Sequence, residues 1–117
     1  MSNPFTFSTA ARLTAPADFA RVFAAQRKIF TSFFVVYYCE TQSAQSRIGI
    51  ITSKRAARRA HQRNHIRRLV REFFRLQRYR LHKPLDIVII ARHSAANAGN
   101  AELNQCLDYL WKKLNKA

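Results

Sequence analysis

Acidic residues are scarce in this chain. Six Asp and Glu stand against 21 Lys and Arg in 117 residues, a formal net charge of +15. The six are Asp18, Glu40, Glu72, Asp86, Glu102 and Asp108, and they form no D-x-D or E-x-x-E pair. A protein-only two-metal nuclease needs carboxylates converging on both ions, and this set is poor material for one. Two glycines and three prolines leave few break points. No apolar run approaches the roughly 18–20 residues of a membrane span. The opening Met1-Ser-Asn-Pro-Phe lacks the basic-then-apolar order of a signal peptide. Cys39 and Cys106 fit no C-x-x-C or zinc spacing. They read as reduced thiols of a cytoplasmic protein, with a single disulfide as the alternative.

What is present suits one folded domain spanning 1–117, with residues 1–11 as a flexible N-terminal tail. Hydrophobic residues make up 48% of the chain, enough for a core. Thr14 is an expected N-cap, Pro16 fits the first turn, and Phe19, Val22 and Phe23 share one helical face. Residues 33–39 read as a strand, and 47–53 as a second one pairing with it as an antiparallel hairpin. A further short strand near Ile29 is compatible with the pattern. Residues 56–81 lack Gly and Pro and predict a helix with the stripe Ile66, Leu69, Val70, Phe73 and Leu76. Leu85-Asp-Ile-Val-Ile-Ile-Ala reads as a buried strand, and 101–113 as a terminal amphipathic helix. The order α-β-β-α-β-α predicts an α+β two-layer sandwich, with helices on one face of a small mixed sheet.

The distribution of charge says more than its total. Residues 54–83 hold 12 of the 21 basic residues and a single acid, Glu72. Arg63, Arg67, Arg71 and Arg75 step at i+4, opposite the apolar stripe. Like charges at that spacing weaken a helix, and a merely solvated face would interleave Glu with Lys. Arg outnumbers Lys ten to two in this span. Guanidinium groups bind phosphate bidentately and stack on bases, which points to folded RNA. No helix-turn-helix, zinc finger or heptad pattern points to DNA.

Aromatic residues are the second constellation. Phe34, Val36 and Tyr38 share one strand face, and Phe33, Val35, Tyr37 and Cys39 the other. They read either as plain core or as an open stacking platform beside a basic rim. His61 and His65 are an i, i+4 pair without a third metal ligand, and among arginines they would repel a cation. Pairing either with His82 or His93 for acid–base ribonuclease chemistry is equally unsupported by spacing.

The segment from Arg47 to Arg75 resembles the bacterial ribonuclease P protein component. That family carries a strand ending in S-K-K or A-K-K, then a helix with R-N-R-x-K-R-x-x-R-E. Here stand Ser53-Lys54-Arg55, Arg63-Asn64-His65-Ile66-Arg67-Arg68 and Arg71-Glu72. Leu13-Thr14, Asp18-Phe19 and Val22-Phe23 resemble the family's first helix, and Asp86 to Arg92 its last strand. His65 replaces the motif's second Arg, removing one permanent charge, and Arg67 replaces its usual Lys.

The resemblance implies a left-handed β-α-β crossover around the Arg-rich helix. It implies a protein subunit of ribonuclease P, the ribonucleoprotein endoribonuclease that removes the 5′ leader of precursor tRNA. The RNA subunit would be catalytic. Arg58, Arg59, Arg63, Asn64, His65, Arg67, Arg68 and Arg71 would bind that RNA. Phe19, Phe23, Tyr37, Lys54, Arg55 and Arg92 would bind the single-stranded leader. The protein alone would hold no cofactor or metal and no catalytic residue, with Mg²⁺ expected in the RNA holoenzyme. A monomer, one per RNA, is expected, with no membrane partner. The competing reading is a structural RNA-binding protein such as a small ribosomal protein. A self-sufficient ribonuclease using His61 or His93 is the third.

Overall fold

Helix α1 spans Pro16–Ala24 and is followed by strands β1 (Lys28–Phe30), β2 (Phe34–Glu40) and β3 (Arg47–Ile51). Helix α2 covers Ala60–Gln77, strand β4 Leu85–Ala91 and helix α3 Asn100–Lys116. These elements come from a computed structural model that describes residues 12–41 and 43–116. The expected tail, residues 1–11, lies outside the described residues.

The sheet order is β1-β2-β4-β3. β2 pairs antiparallel with β4, and β3 pairs parallel with β4. The expected hairpin between the second and third strands is therefore wrong, because β4 lies between them. The reason is composition. β4 is apolar at every position except Asp86, and a strand buried on both faces takes the centre of the sheet. The hairpin that does form joins β1 to β2, with Ile29 opposite Val36. Thr31 closes it: its Oγ1 accepts from the Phe34 amide at 3.0 Å and donates to the Phe34 carbonyl at 2.7 Å.

α2 and α3 cover one face. Ile66, Val70 and Phe74 of α2 and Leu103, Leu107, Leu110, Trp111 and Leu114 of α3 meet Phe34, Val36, Tyr38, Ile87 and Ile89. The buried stripe of α2 is thus Ile66-Val70-Phe74. Leu69 and Phe73 are half-buried, Phe73 lying edge-on to Trp111, and Leu76 is exposed. Phe33 precedes β2 in the turn and packs toward this same core. It does not share the face of Val35.

α1 packs on the opposite face, over Val88, with Leu13 and Val22. This corrects the one-sided packing expected from the sequence, and follows from the need to cover both faces of β4. Ala15, not Thr14, is the N-cap, and no side chain caps it. α2 is shorter than predicted at both ends. Residues 53–59 turn instead, with the Ala56 and Ala57 amides donating to the Ser53 carbonyl. Arg78–Arg80 tightens to a 3₁₀ turn ahead of Pro84.

A buried carboxylate anchors α1 to the sheet. Asp86 is fully buried and accepts from Arg47 Nε and Nη2 at 2.9 and 2.8 Å, a bidentate pair, and from Arg21 of α1. Asp18 adds a second carboxylate 3.5 Å from Arg47. Burial alone would raise the Asp86 pKa. The hydrogen bonds from Arg47, Arg21 and Thr41 outweigh it and hold the carboxyl below its ordinary value.

Candidate nucleic-acid interface

The outer side of α2 carries guanidinium groups that the protein's own acids do not neutralise. Five of the six carboxylates are ion-paired, four of them away from α2 and Glu72 with its own neighbour on the helix. Asp86 and Asp18 meet Arg21 and Arg47, Glu40 meets Lys83, Glu72 meets Arg75, and Asp108 meets Arg80 and Lys112. Glu102, the sixth, accepts from the Gly99 amide. Among the described residues, no acid forms a salt bridge with Arg63, Arg67, Arg68 or Arg71, and Glu72 acts on Arg68 only at longer range.

Each of these arginines has its own setting. Arg63 Nη1 donates to the carbonyls of Ala57 and Arg58, both at 3.0 Å, which fixes the turn leading into the helix. Arg67 is half-buried and donates from Nε to Thr52 Oγ1 at 2.8 Å, tying α2 to the end of β3. It does not face solvent freely, as its place opposite the apolar stripe suggests. Arg71 is held below the usual guanidinium pKa by partial burial and by the positive charges of Arg12 and Arg67. Three guanidinium groups thus crowd where phosphate would relieve their repulsion. Arg68 is exposed and lines a groove between α2 and α3. Asn64, Arg58 and Arg59 are exposed too. His65 is engaged differently, its Nε2 lying 2.7 Å from Asn100 Oδ1 at the start of α3.

The second surface is the α1 side of the sheet, where α1 covers Val88 and Gly49 and leaves the positions beyond them partly open. The register sets residues across it in rows. Lys28, Tyr37, Val88 and Gly49 form one row, and Phe30, Val35, Ile90 and Ile51 the next. Phe19 lies over Gly49, and Phe23 meets Tyr37 edge-on with centroids 4.9 Å apart. Phe19, Phe23 and Tyr37 are all half-buried, so they are neither sealed core nor free platform. Lys28 Nζ stands 5.9 Å from the Tyr37 centroid.

Lys54, Arg55 and Arg92 reach the same end of this surface. β3 and β4 run parallel with Ile51 opposite Ile90, so the exposed Lys54 and Arg55 leave the sheet where Arg92 does. Arg92 donates from Nη1 to the Thr31 carbonyl at 2.8 Å and covers the Phe30 ring at 4.2 Å. The Arg67–Thr52 bond brings α2 to this end as well. The two predicted residue sets therefore meet at one corner of the molecule.

Comparison with known proteins decides the family. The family model described as Ribonuclease P matches residues 7–115. The chain belongs to the ribonuclease P protein family. The Ribonuclease P protein component of Coxiella burnetii is 37% identical over 94% of this chain and 90% of its own length. That of Acinetobacter baylyi is 39% identical over 99% of this chain and 88% of its own. The solved RNase P protein of Staphylococcus aureus superposes with a TM-score of 0.82 at 30% identity, over 89% of this chain and 94% of that one. The protein is thus a subunit of ribonuclease P, a ribonucleoprotein endoribonuclease whose RNA it partners.

Three site features were not named from the sequence. Phe30 under Arg92 and Lys28 beside Tyr37 depend on the register of β1, and Arg12 beside Arg71 depends on its bridge to Ile48. Of the histidines, His65 is taken by Asn100, and His93 borders a hollow with Arg58, Arg59 and Gln62 at the start of α2. His82 and His93 flank β4 and stand at its opposite ends. Among the described residues, no three His, Cys, Asp or Glu side chains cluster to hold a metal, and no helix is long and apolar enough to cross a membrane. Both cysteines are free thiols.

Proposed function

We propose that this subunit docks on the ribonuclease P RNA through the outer side of α2 and holds the 5′ leader of precursor tRNA over the α1 side of the sheet. Arg58, Arg59, Arg63, Asn64, Arg67, Arg68 and Arg71 supply the RNA-subunit contact, with His65 at its α3 margin. Phe19, Phe23, Tyr37, Lys54, Arg55 and Arg92 supply the leader cleft. The carrying observation is that Glu72, the one acid on α2, pairs with Arg75 and the other ion-paired acids bind away from the helix, which leaves Arg63, Arg67, Arg68 and Arg71 without a salt bridge among the described residues and open to an outside polyanion.

Hydrolysis is assigned to the RNA subunit, with its Mg²⁺. This chain's carboxylates are engaged by arginine, lysine and a backbone amide, so none stands ready as general base or metal ligand. Its part is electrostatic and geometric: screening repulsion between two RNAs, and gripping a single strand by aromatic stacking and phosphate contact without reading much sequence. One copy per RNA, acting in the cytoplasm, completes the reading.

The test is reconstitution. The protein, added to transcribed ribonuclease P RNA at limiting Mg²⁺, should restore precursor cleavage, and the Arg68→Ala/Arg71→Ala double variant should fail to. Cleavage by the protein without RNA, or full rescue by the double variant, would refute the proposal.

A further inference from the structure

Past the end of the cleft, around the edge strand β1, the molecule carries a second aromatic surface. Phe30 is 63% exposed and Tyr109 49% exposed, both large for aromatic side chains. Each has its own cation. The Arg92 guanidinium lies 4.2 Å from the Phe30 centroid, and Lys113 Nζ lies 5.6 Å from that of Tyr109. Between the two rings is a hollow of about 630 Å³, also bordered by Gln105 and Glu102. Phe30 belongs to the same row as Val35, Ile90 and Ile51 on the α1 face, while Tyr109 and Gln105 belong to α3, so the hollow follows on from the cleft around the β1 edge of the sheet.

We infer that Phe30, Arg92 and Tyr109 form a stacking subsite for leader nucleotides lying upstream of those held under α1. The inference rests on the leader reading above and names where the strand goes next. Arg92 is the shared element. Its Nη1 is fixed by the Thr31 and Ser32 carbonyls at 2.8 and 3.4 Å, and its flat group rests on Phe30. A guanidinium held that way offers its outer plane to a base, while the exposed part of Phe30 and the Tyr109 ring offer further π-faces. Glu102 borders the hollow and repels phosphate there, so bases enter it while the backbone passes on the side of Arg92 and Lys113. A single strand has both parts, a π-face and an anionic backbone, and matches this division.

The experiment uses the reconstituted holoenzyme and precursor tRNAs whose leaders are shortened one nucleotide at a time, with dissociation constants measured for each. For the longest leaders, Phe30→Ala and Tyr109→Ala should each weaken binding about fivefold or more, the lower end for loss of one stacked base. The loss should shrink as the leader is cut back, and Phe30→Tyr should retain wild-type affinity. Circular dichroism melting of each variant checks the fold. A loss independent of leader length, or no loss while Tyr37→Ala still weakens binding, overturns the subsite and leaves the cleft standing. No loss from Tyr37→Ala either overturns the leader reading itself.

Discussion

The Phe19 ring occupies the space that any side chain on Gly49 would need. A Cβ at that position would lie 2.6 Å from both Cε1 and Cζ of the ring. The absence of a side chain in β3 is thus what lets α1 settle on the sheet, and it sets how deep the cleft is.

Gly49→Ala should therefore displace the ring and with it α1. The expected cost is about 1–3 kcal/mol, typical of overpacking a tight contact, measured by urea unfolding. Binding of precursor tRNA should weaken more than binding of mature tRNA. In the double variant Gly49→Ala/Phe19→Leu, part of the stability should return, because the smaller side chain yields the space. Strict additivity of the two single changes would show that the contact is not the cause.

Arg67 and Arg68 are neighbours in sequence with different settings. Arg68→Ala should weaken assembly with the RNA, lower the slope of log affinity against log salt by about one, and leave the melting temperature unchanged. Arg67→Ala should do both things at once. It weakens assembly and costs about 1 kcal/mol of stability through the lost bond to buried Thr52. Equal melting temperatures for the two variants would place Arg67 outside the fold's own bonding.

Asp86 links stability to pH. Its carboxyl binds a proton less readily in the folded protein than in the unfolded chain. Its stabilising contribution is therefore complete above the unfolded pKa of about 3.9 and is lost as the pH falls below it. Asp86→Asn should destabilise the protein at neutral pH by about 2–3 kcal/mol, less than a wholly buried pair because both arginines are partly exposed. It should also flatten the fall in melting temperature on acidification below about pH 4. An unchanged acid profile would assign that fall to other carboxylates.

His65→Arg restores the permanent charge that the family motif carries, and breaks the contact with Asn100. Tighter RNA assembly is the expected outcome, read by filter binding at fixed salt. Asn100→Ala separates the two effects, since it removes the contact without adding charge. If His65→Arg weakens assembly and Asn100→Ala does the same, the tie between α2 and α3 matters more than the charge.

The elements were legible because their signals are local. The all-apolar run of β4, the Gly-free and Pro-free stretch of α2 and the i+4 arginines each lie within one segment. The partnering of strands was not. Pattern alone gave β2 and β3 every reason to pair with each other, and only the demand of β4 for neighbours on both sides separates them. The same limit explains the site. Lys54, Arg55 and the helix arginines stand in one contiguous motif, whereas the meeting of Phe30 with Arg92 requires the register of three strands. The apolar stripe of α2 differs from the expected one for a related reason. Phe74 and Phe73 differ by one position, both meet Trp111 of α3, and Phe74 is the one that is fully buried.

The central place of β4 also governs the order of events during synthesis. Residues 34–51 contain two strands that share no hydrogen-bonded ladder, and they gain a common partner only when residues 85–91 have left the ribosome. Until then the nascent polypeptide holds unpaired edges and a cationic segment with nothing to rest on. Because closing the sheet requires long sequence separations, the architecture delays a competent RNA-binding surface until β4 has been made.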